Sequence, residues 1–150
     1  MNCRLCYNHS TLPREFEILD HTADVGITAY GADAKEVFAN AGKALFSLIT
    51  DPESVREVET REVEVEAPDQ ERLLVDWLNE LIYYFDAENI LFRRFEVSEL
   101  SDTHLKARAY GERVDIKRHE LKLGVKAATY HQLKIEKTDG GVRAQVIFDI

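Results

Sequence analysis

Long apolar runs are missing from this chain of 150 residues. None approaches the ~20 residues of a membrane-spanning helix. The opening stretch, Met1 to Ser10, lacks the apolar core of a signal peptide, so the protein is expected in the cytoplasm, with no membrane partner. The seven glycines include no Gly-rich phosphate loop. A Ser-His-Asp order with a nucleophile elbow is missing too. Basic residues are the minority: 19 Lys and Arg against 28 Asp and Glu leave a formal net charge of −9. Gripping a phosphate backbone needs clustered Lys and Arg, so no strong direct nucleic-acid binding is expected. An acidic surface suits a basic protein partner, or simply keeps the protein in solution.

Cysteine is confined to Cys3 and Cys6, with His9 close behind. A Cys-x-x-Cys pair with a histidine can supply up to three ligands of a tetrahedral zinc site. No second pair exists, and the thioredoxin-like βαβ context of a redox pair is absent. The other reading is a tail without function, since termini are usually poorly ordered. Residues 1–15 are therefore taken as an N-terminal extension and 16–150 as one domain.

The composition that remains, 45% hydrophobic and 31% charged, is that of a globular domain with a real core. Phe16 to Leu19 and Val25 to Tyr30 read as strands. Asp33, with Glu36 three residues on, has capping-box spacing for a helix running to about Ile49. Val37, Phe38, Ala41, Leu45, Leu48 and Ile49 form its apolar face. Val55 to Ala67 reads as a half-buried strand, clearest where Val63 and Val65 alternate with Glu62, Glu64 and Glu66. Asp69 caps a second helix, whose stripe runs Leu74, Trp77, Leu78, Leu81, Ile82 and Phe85. Strands follow at Phe92 to Leu100, His104 to Tyr110, Val125 to Tyr130, Leu133 to Lys137 and Val142 to Phe148. Asp139-Gly140-Gly141 marks a hairpin, and Val114 to Leu123 resists assignment. The order gives an α+β class: two helices packed on one large, mostly antiparallel sheet or on two β layers.

Two places hold unusual chemistry. Asp20-His21-Thr22-Ala23-Asp24 crowds two carboxylates and an imidazole between two strands. It reads either as a turn held by Asp side chains or as part of a hard-cation site. At the other end the last strand runs into Asp149-Ile150. If that strand lies beside the one at Asp24, oxygens from both ends can meet in a calcium-like site. His104 and His131 read as ordinary surface or hydrogen-bonded histidines, and no convincing enzyme emerges.

Four ordered motifs carry a resemblance. They are Asp20-His21-Thr22-Ala23-Asp24, Leu78-Asn79-Glu80-Leu81-Ile82-Tyr83, Val125-Lys126-Ala127-Ala128-Thr129-Tyr130-His131 and Val146-Ile147-Phe148-Asp149-Ile150. From Phe16 to Ile150 the chain resembles the archease family, activators of RtcB-type tRNA ligases. The resemblance implies a partner ligase that uses GTP and manganese and becomes guanylylated on a histidine. The family member promotes that step, and multiple turnover in tRNA splicing, without catalysing ligation. The resemblance maps the metal-binding acids to Asp24 and Asp149, with Ile150 contributing main chain, and implies a divalent cation such as calcium. It maps a functional lysine to Lys126, beside the alternative of a lysine on a solvated face. For His21, holding the turn by a hydrogen bond is the reading adopted. A second implied role is that of chaperone-like modulator of a tRNA cytosine methyltransferase.

Overall fold

A computed structural model describes residues 15–20 and 24–150. The expectations for Cys3, Cys6, His9 and His21 fall outside the described residues. The order is β1 (Phe16–Asp20), β2 (Asp24–Gly31), α1 (Ala34–Ile49), a 3-10 turn (Pro52–Ser54), β3 (Glu59–Glu66), α2 (Gln70–Glu88), β4 (Ile90–Leu100), β5 (His104–Arg113), β6 (Ala127–Ala128), β7 (Lys134–Thr138) and β8 (Gly141–Asp149).

Both helices begin where a side chain can satisfy a free backbone donor. Asp33 Oδ1 accepts the Glu36 N–H at 3.0 Å, and Glu36 Oε1 reaches back to the Ala32 N–H at 2.7 Å. Asp69 Oδ1 accepts the Arg72 N–H at 2.9 Å. At its far end α2 stops on Asn89, whose φ of 54° is the left-handed conformation that turns a chain out of a helix. The helices are tied together in the core, where the Trp77 indole N–H donates to Phe38 O at 2.9 Å. A buried indole donor left unpaired would be costly, and this bond removes the cost.

The strands form two antiparallel sheets. One has five strands, in the order β1-β2-β8-β6, with β7 also paired to β8; the other has three, β3-β5-β4. Of the two arrangements compatible with the sequence, the structure takes the two-sheet one. Each helix touches strands of both sheets. Coverage on more than one side explains why α1 buries Val37, Phe38, Ala41, Ala44, Leu45, Phe46, Leu48 and Ile49, more than one narrow stripe. The core joins these residues to Ile27, Val146 and Phe148 of the larger sheet and to Phe92, Phe95 and Leu105 of the smaller.

Three segments depart from expectation. β3 begins at Glu59 rather than Val55, because Arg56, Glu57 and Val58 are exposed in succession after the buried Val55, which breaks the alternation. The strand expected over Val125 to Tyr130 shrinks to Ala127–Ala128, since the chain turns at Gln132 with φ 53°. Val114 to Leu123 holds no strand and is pinned by side-chain bonds instead. The hairpin at Asp139-Gly140 forms as expected, with Gly140 supplying the φ of 85° that few other residues adopt.

Candidate functional site where the two ends of the domain meet

β2 and β8 are neighbours in the larger sheet, and their register places Asp24 directly opposite Asp149. The reason lies in alternation. Val25, Ile27 and Ala29 on β2 and Ala144, Val146 and Phe148 on β8 are all buried. Those residues pair with one another (Val25 with Phe148, Ile27 with Val146, Ala29 with Ala144). Burying that set on the helix side sends Asp24 and Asp149 together to the other face. Directly opposed residues carry Cβ atoms about 4.5–5.5 Å apart, so two acids from opposite ends of the sequence become neighbours. Asp149 is exposed, whereas Asp24 is half-buried with its Oδ1 inaccessible to solvent. Ile150 follows at once, half-buried and packed on the core.

β6 extends this row on the other side of β8, with Ala127 opposite Asp149. Lys126 sits just before β6, and its N–H donates to Asp149 O at 2.8 Å. Two consecutive residues thus address one partner, as at a β-bulge, a device that re-aims a side chain. The expected alternation holds at buried Val125 and exposed Lys126, then slips: Ala127 is half-buried and Ala128 is the buried residue. Asp24, Asp149 and Lys126, far apart in sequence, are thereby brought to one corner of the sheet.

Two supports of this corner were not visible in the sequence. On the edge of β6 away from β8, Asn79 of α2 accepts the Ala128 N–H on Oδ1 at 2.8 Å and donates from Nδ2 to Ala128 O at 3.3 Å. The sequence hints at it only through the motif Leu78-Asn79-Glu80-Leu81-Ile82-Tyr83, which sets an amide within the apolar stripe of α2. The second support is Glu112, 8% exposed. Arg118 Nη2 donates to its Oε1 at 2.6 Å, and the Arg56 N–H donates to its Oε2 at 2.8 Å. His119 Nε2 stands 2.9 Å from the same Oε2. Burial raises the Glu112 carboxyl, but the bonds from Arg118, the Arg56 N–H and His119 outweigh it and lower it from 4.5 to about 2. This knot fixes the segment that leads to Lys126. The same segment is sewn to the end of α1 by the Lys122 N–H to Ile49 O, 2.7 Å, and by Thr50 Oγ1 to Glu120 O, 2.7 Å.

Among the described residues no group of three or more His, Cys, Asp and Glu is gathered to hold a metal. The donors at the corner are carboxylate and main-chain oxygens, which suit calcium or magnesium rather than a soft metal. Asp24, Asp149 and Ile150 fit such a cation as a partial set, with backbone or water oxygens needed for the rest. The other histidines follow the sequence reading. His104 Nε2 is 2.6 Å from Glu64 Oε2, and His131 is exposed in the turn after β6.

The fold and its corner define a small acidic α+β protein whose candidate site is a hard-oxygen pair supported by a lysine. Residues 16–150 match the Archease protein family, and the chain belongs to that family. It is similar to "Protein archease" of Methanosarcina mazei, 44% identical over 141 residues that span 91% of this chain and 97% of the relative. The solution structure of Methanobacterium thermoautotrophicum protein 1598 superposes with a TM-score of 0.79 at 44% identity, covering 91% of this chain and 99% of that one. A Thermotoga maritima crystal structure described as "an archease, possible chaperone" shares the fold, with a TM-score of 0.64 at 23% identity, covering 95% of this chain and 98% of that one. None of the described helices is long and apolar enough to cross a membrane.

Proposed function

We propose that this protein is a non-catalytic, cytoplasmic activator of an RtcB-type GTP-dependent RNA ligase, promoting ligase guanylylation and multiple turnover in tRNA splicing. The observation that carries the reading is the register of Asp24 against Asp149, with Lys126 bonded to the same Asp149. Three of the residues that the family resemblance nominates, Asp24, Lys126 and Asp149, come from separate motifs and converge on one corner of the sheet, a placement with no evident need in the core. Asp24, Asp149 and the Ile150 main chain would hold a hard divalent cation, calcium being the one the family resemblance implies. Such a cation would offset two adjacent negative charges and present a positive centre beside Lys126. Lys126, an exposed point charge, would then meet a phosphate or an acidic group of the ligase or its nucleotide. The net charge of −9 suits a basic, RNA-handling partner.

The experiment is to mix the protein with the ligase, manganese and labelled GTP and to follow ligase–GMP formation. The expected result is faster guanylylation and repeated turnover at substoichiometric protein. An unchanged rate would overturn this reading. The remaining family role, modulation of a tRNA cytosine methyltransferase, would then be favoured if the protein changed that enzyme's oligomeric state or site choice.

A further inference from the structure

We infer that Asn79 is the positioning residue that holds the Lys126 N–H against Asp149 O, an inference that rests on the function proposed for that corner. β6 is two alanines long, and two methyl side chains bury too little surface to hold a strand in place. Its attachment is therefore a matter of hydrogen bonds. On one edge, the Lys126 N–H donates to Asp149 O at 2.8 Å, and the Thr129 N–H and Oγ1 both donate to Ile147 O, at 3.0 and 2.9 Å. On the other edge no described strand pairs with it. There the Asn79 amide takes the place of a neighbouring strand, accepting the Ala128 N–H and donating to the Ala128 carbonyl.

This arrangement requires asparagine. The carboxamide carries one acceptor and one donor side by side, which is what the N–H and C=O of one residue present at a strand edge. Aspartate keeps the acceptor but turns a second oxygen toward the Ala128 carbonyl. Leucine keeps the shape and loses both bonds. Glutamine carries the same amide one methylene too far from a helix that is itself fixed by Trp77 and Leu78, both fully buried. The consequence reaches past Ala128, because a strand that slips by one residue sends its side chains to the opposite face. A slip here would move Lys126 away from the Asp24–Asp149 row while leaving the domain folded, since Val125 and Ala128 are the only buried residues of the segment 125–128. Asn79 itself is half-buried on α2, and among the described residues its side-chain hydrogen bonds go to Ala128 of β6 alone.

The test has one arm on the isolated protein and one on the ligase reaction. In the isolated protein, Asn79→Ala should raise amide hydrogen exchange at Lys126 as well as Ala128 roughly tenfold, the scale of a lost hydrogen bond. Amides of β2 and α1 should keep their protection. Unchanged exchange at Lys126 overturns the inference whatever the ligase does, so its failure is separable from failure of the activator reading. In the ligase reaction, Asn79→Ala should slow ligase–GMP formation in the wild-type background and have no further effect on Lys126→Ala. Full additivity of the two substitutions also overturns it, because Asn79 would then act elsewhere. If Asn79→Ala loses its fold, Asn79→Asp preserves volume and acceptor, and its Lys126 exchange should lie between wild type and the alanine prediction. Exchange equal to wild type in that variant is the overturning result.

Discussion

His119 presents Nε2 to Glu112 Oε2 at 2.9 Å while its Nδ1 accepts the Asp115 N–H at 2.9 Å. An accepting Nδ1 carries no proton, so the ring is the neutral Nε2–H tautomer and donates to Glu112. Arg118 therefore supplies the positive charge of this buried knot, and His119 supplies shape and a hydrogen bond. Acid stability follows from Glu112. Its folded-state value of about 2 lies below the ordinary 4.5. The stabilisation is thus complete above about 4.5 and is lost as pH falls towards about 2. Glu112→Gln removes it, so the variant should be clearly less stable at neutral pH. The gap from wild type should shrink by about 2 kcal/mol between roughly pH 7 and pH 3. Denaturant melts at the two pH values check this; a constant gap would mean that Glu112 acts by packing alone.

Gly111 lies inside β5, opposite Phe92, at the irregular step of β4 between Phe92 and Arg94. A Cβ there would fall 1.8 Å from Leu91 O and 2.7 Å from Leu91 C. These are backbone atoms of a paired strand and cannot swing aside as a side-chain tip can. Gly111→Ala should therefore cost about 3 kcal/mol or more and lower the thermal midpoint sharply. A near-neutral alanine would show that β4 can move away.

The sequence exposed those features that repeat locally or sit at an element's end. Asp33 with Glu36 and Asp69 marked both helix starts, Glu62, Glu64 and Glu66 marked the outer face of β3, and Asp139-Gly140 marked the last turn. The strand expected over His104 to Tyr110 runs on through Gly111 to Arg113, because that glycine serves close approach of β4 rather than a chain reversal. The partnership of Asp24 with Asp149 was legible only as a condition on two strands being adjacent, since the alternation of a strand names its faces and not its neighbour. The Asn79 clamp and the Glu112–Arg118–His119 knot have no periodic signature at all. They are single side chains completing backbone or charge between segments far apart in sequence, and only the fold brings them together.

Directly opposed like charges on adjacent strands are destabilising, and this sets stability against the proposed cation site at Asp149. In the presence of a chelator, Asp149→Asn should hold or raise stability, by at most about 1 kcal/mol given the exposure of Asp149. Calcium should raise the thermal midpoint of the wild type and leave the variant unmoved, because a ligand that binds only the folded state stabilises it by mass action. Melting both proteins with and without calcium separates the two effects. An equal calcium response in the variant would remove Asp149 from the cation site.

Lys126 offers the cleanest separation of fold from function. Its backbone is held by Asp149 O, while its side chain is exposed and no described side chain pairs with it at bonding distance. Truncation to alanine removes no buried surface and breaks no main-chain bond, so Lys126→Ala should stay within about 0.5 kcal/mol of wild type. Ligase–GMP formation should nevertheless fall by roughly tenfold or more, as expected when a charge-assisted contact worth about 1.5–3 kcal/mol is lost. Lys126→Arg keeps the charge but replaces a compact ammonium with a planar fork. Partial activity in the arginine variant would mean that charge alone carries part of the effect, and none would mean that the contact needs the ammonium's geometry. Full activity in the alanine variant at unchanged stability would return Lys126 to the solvated face on which the sequence also allowed it.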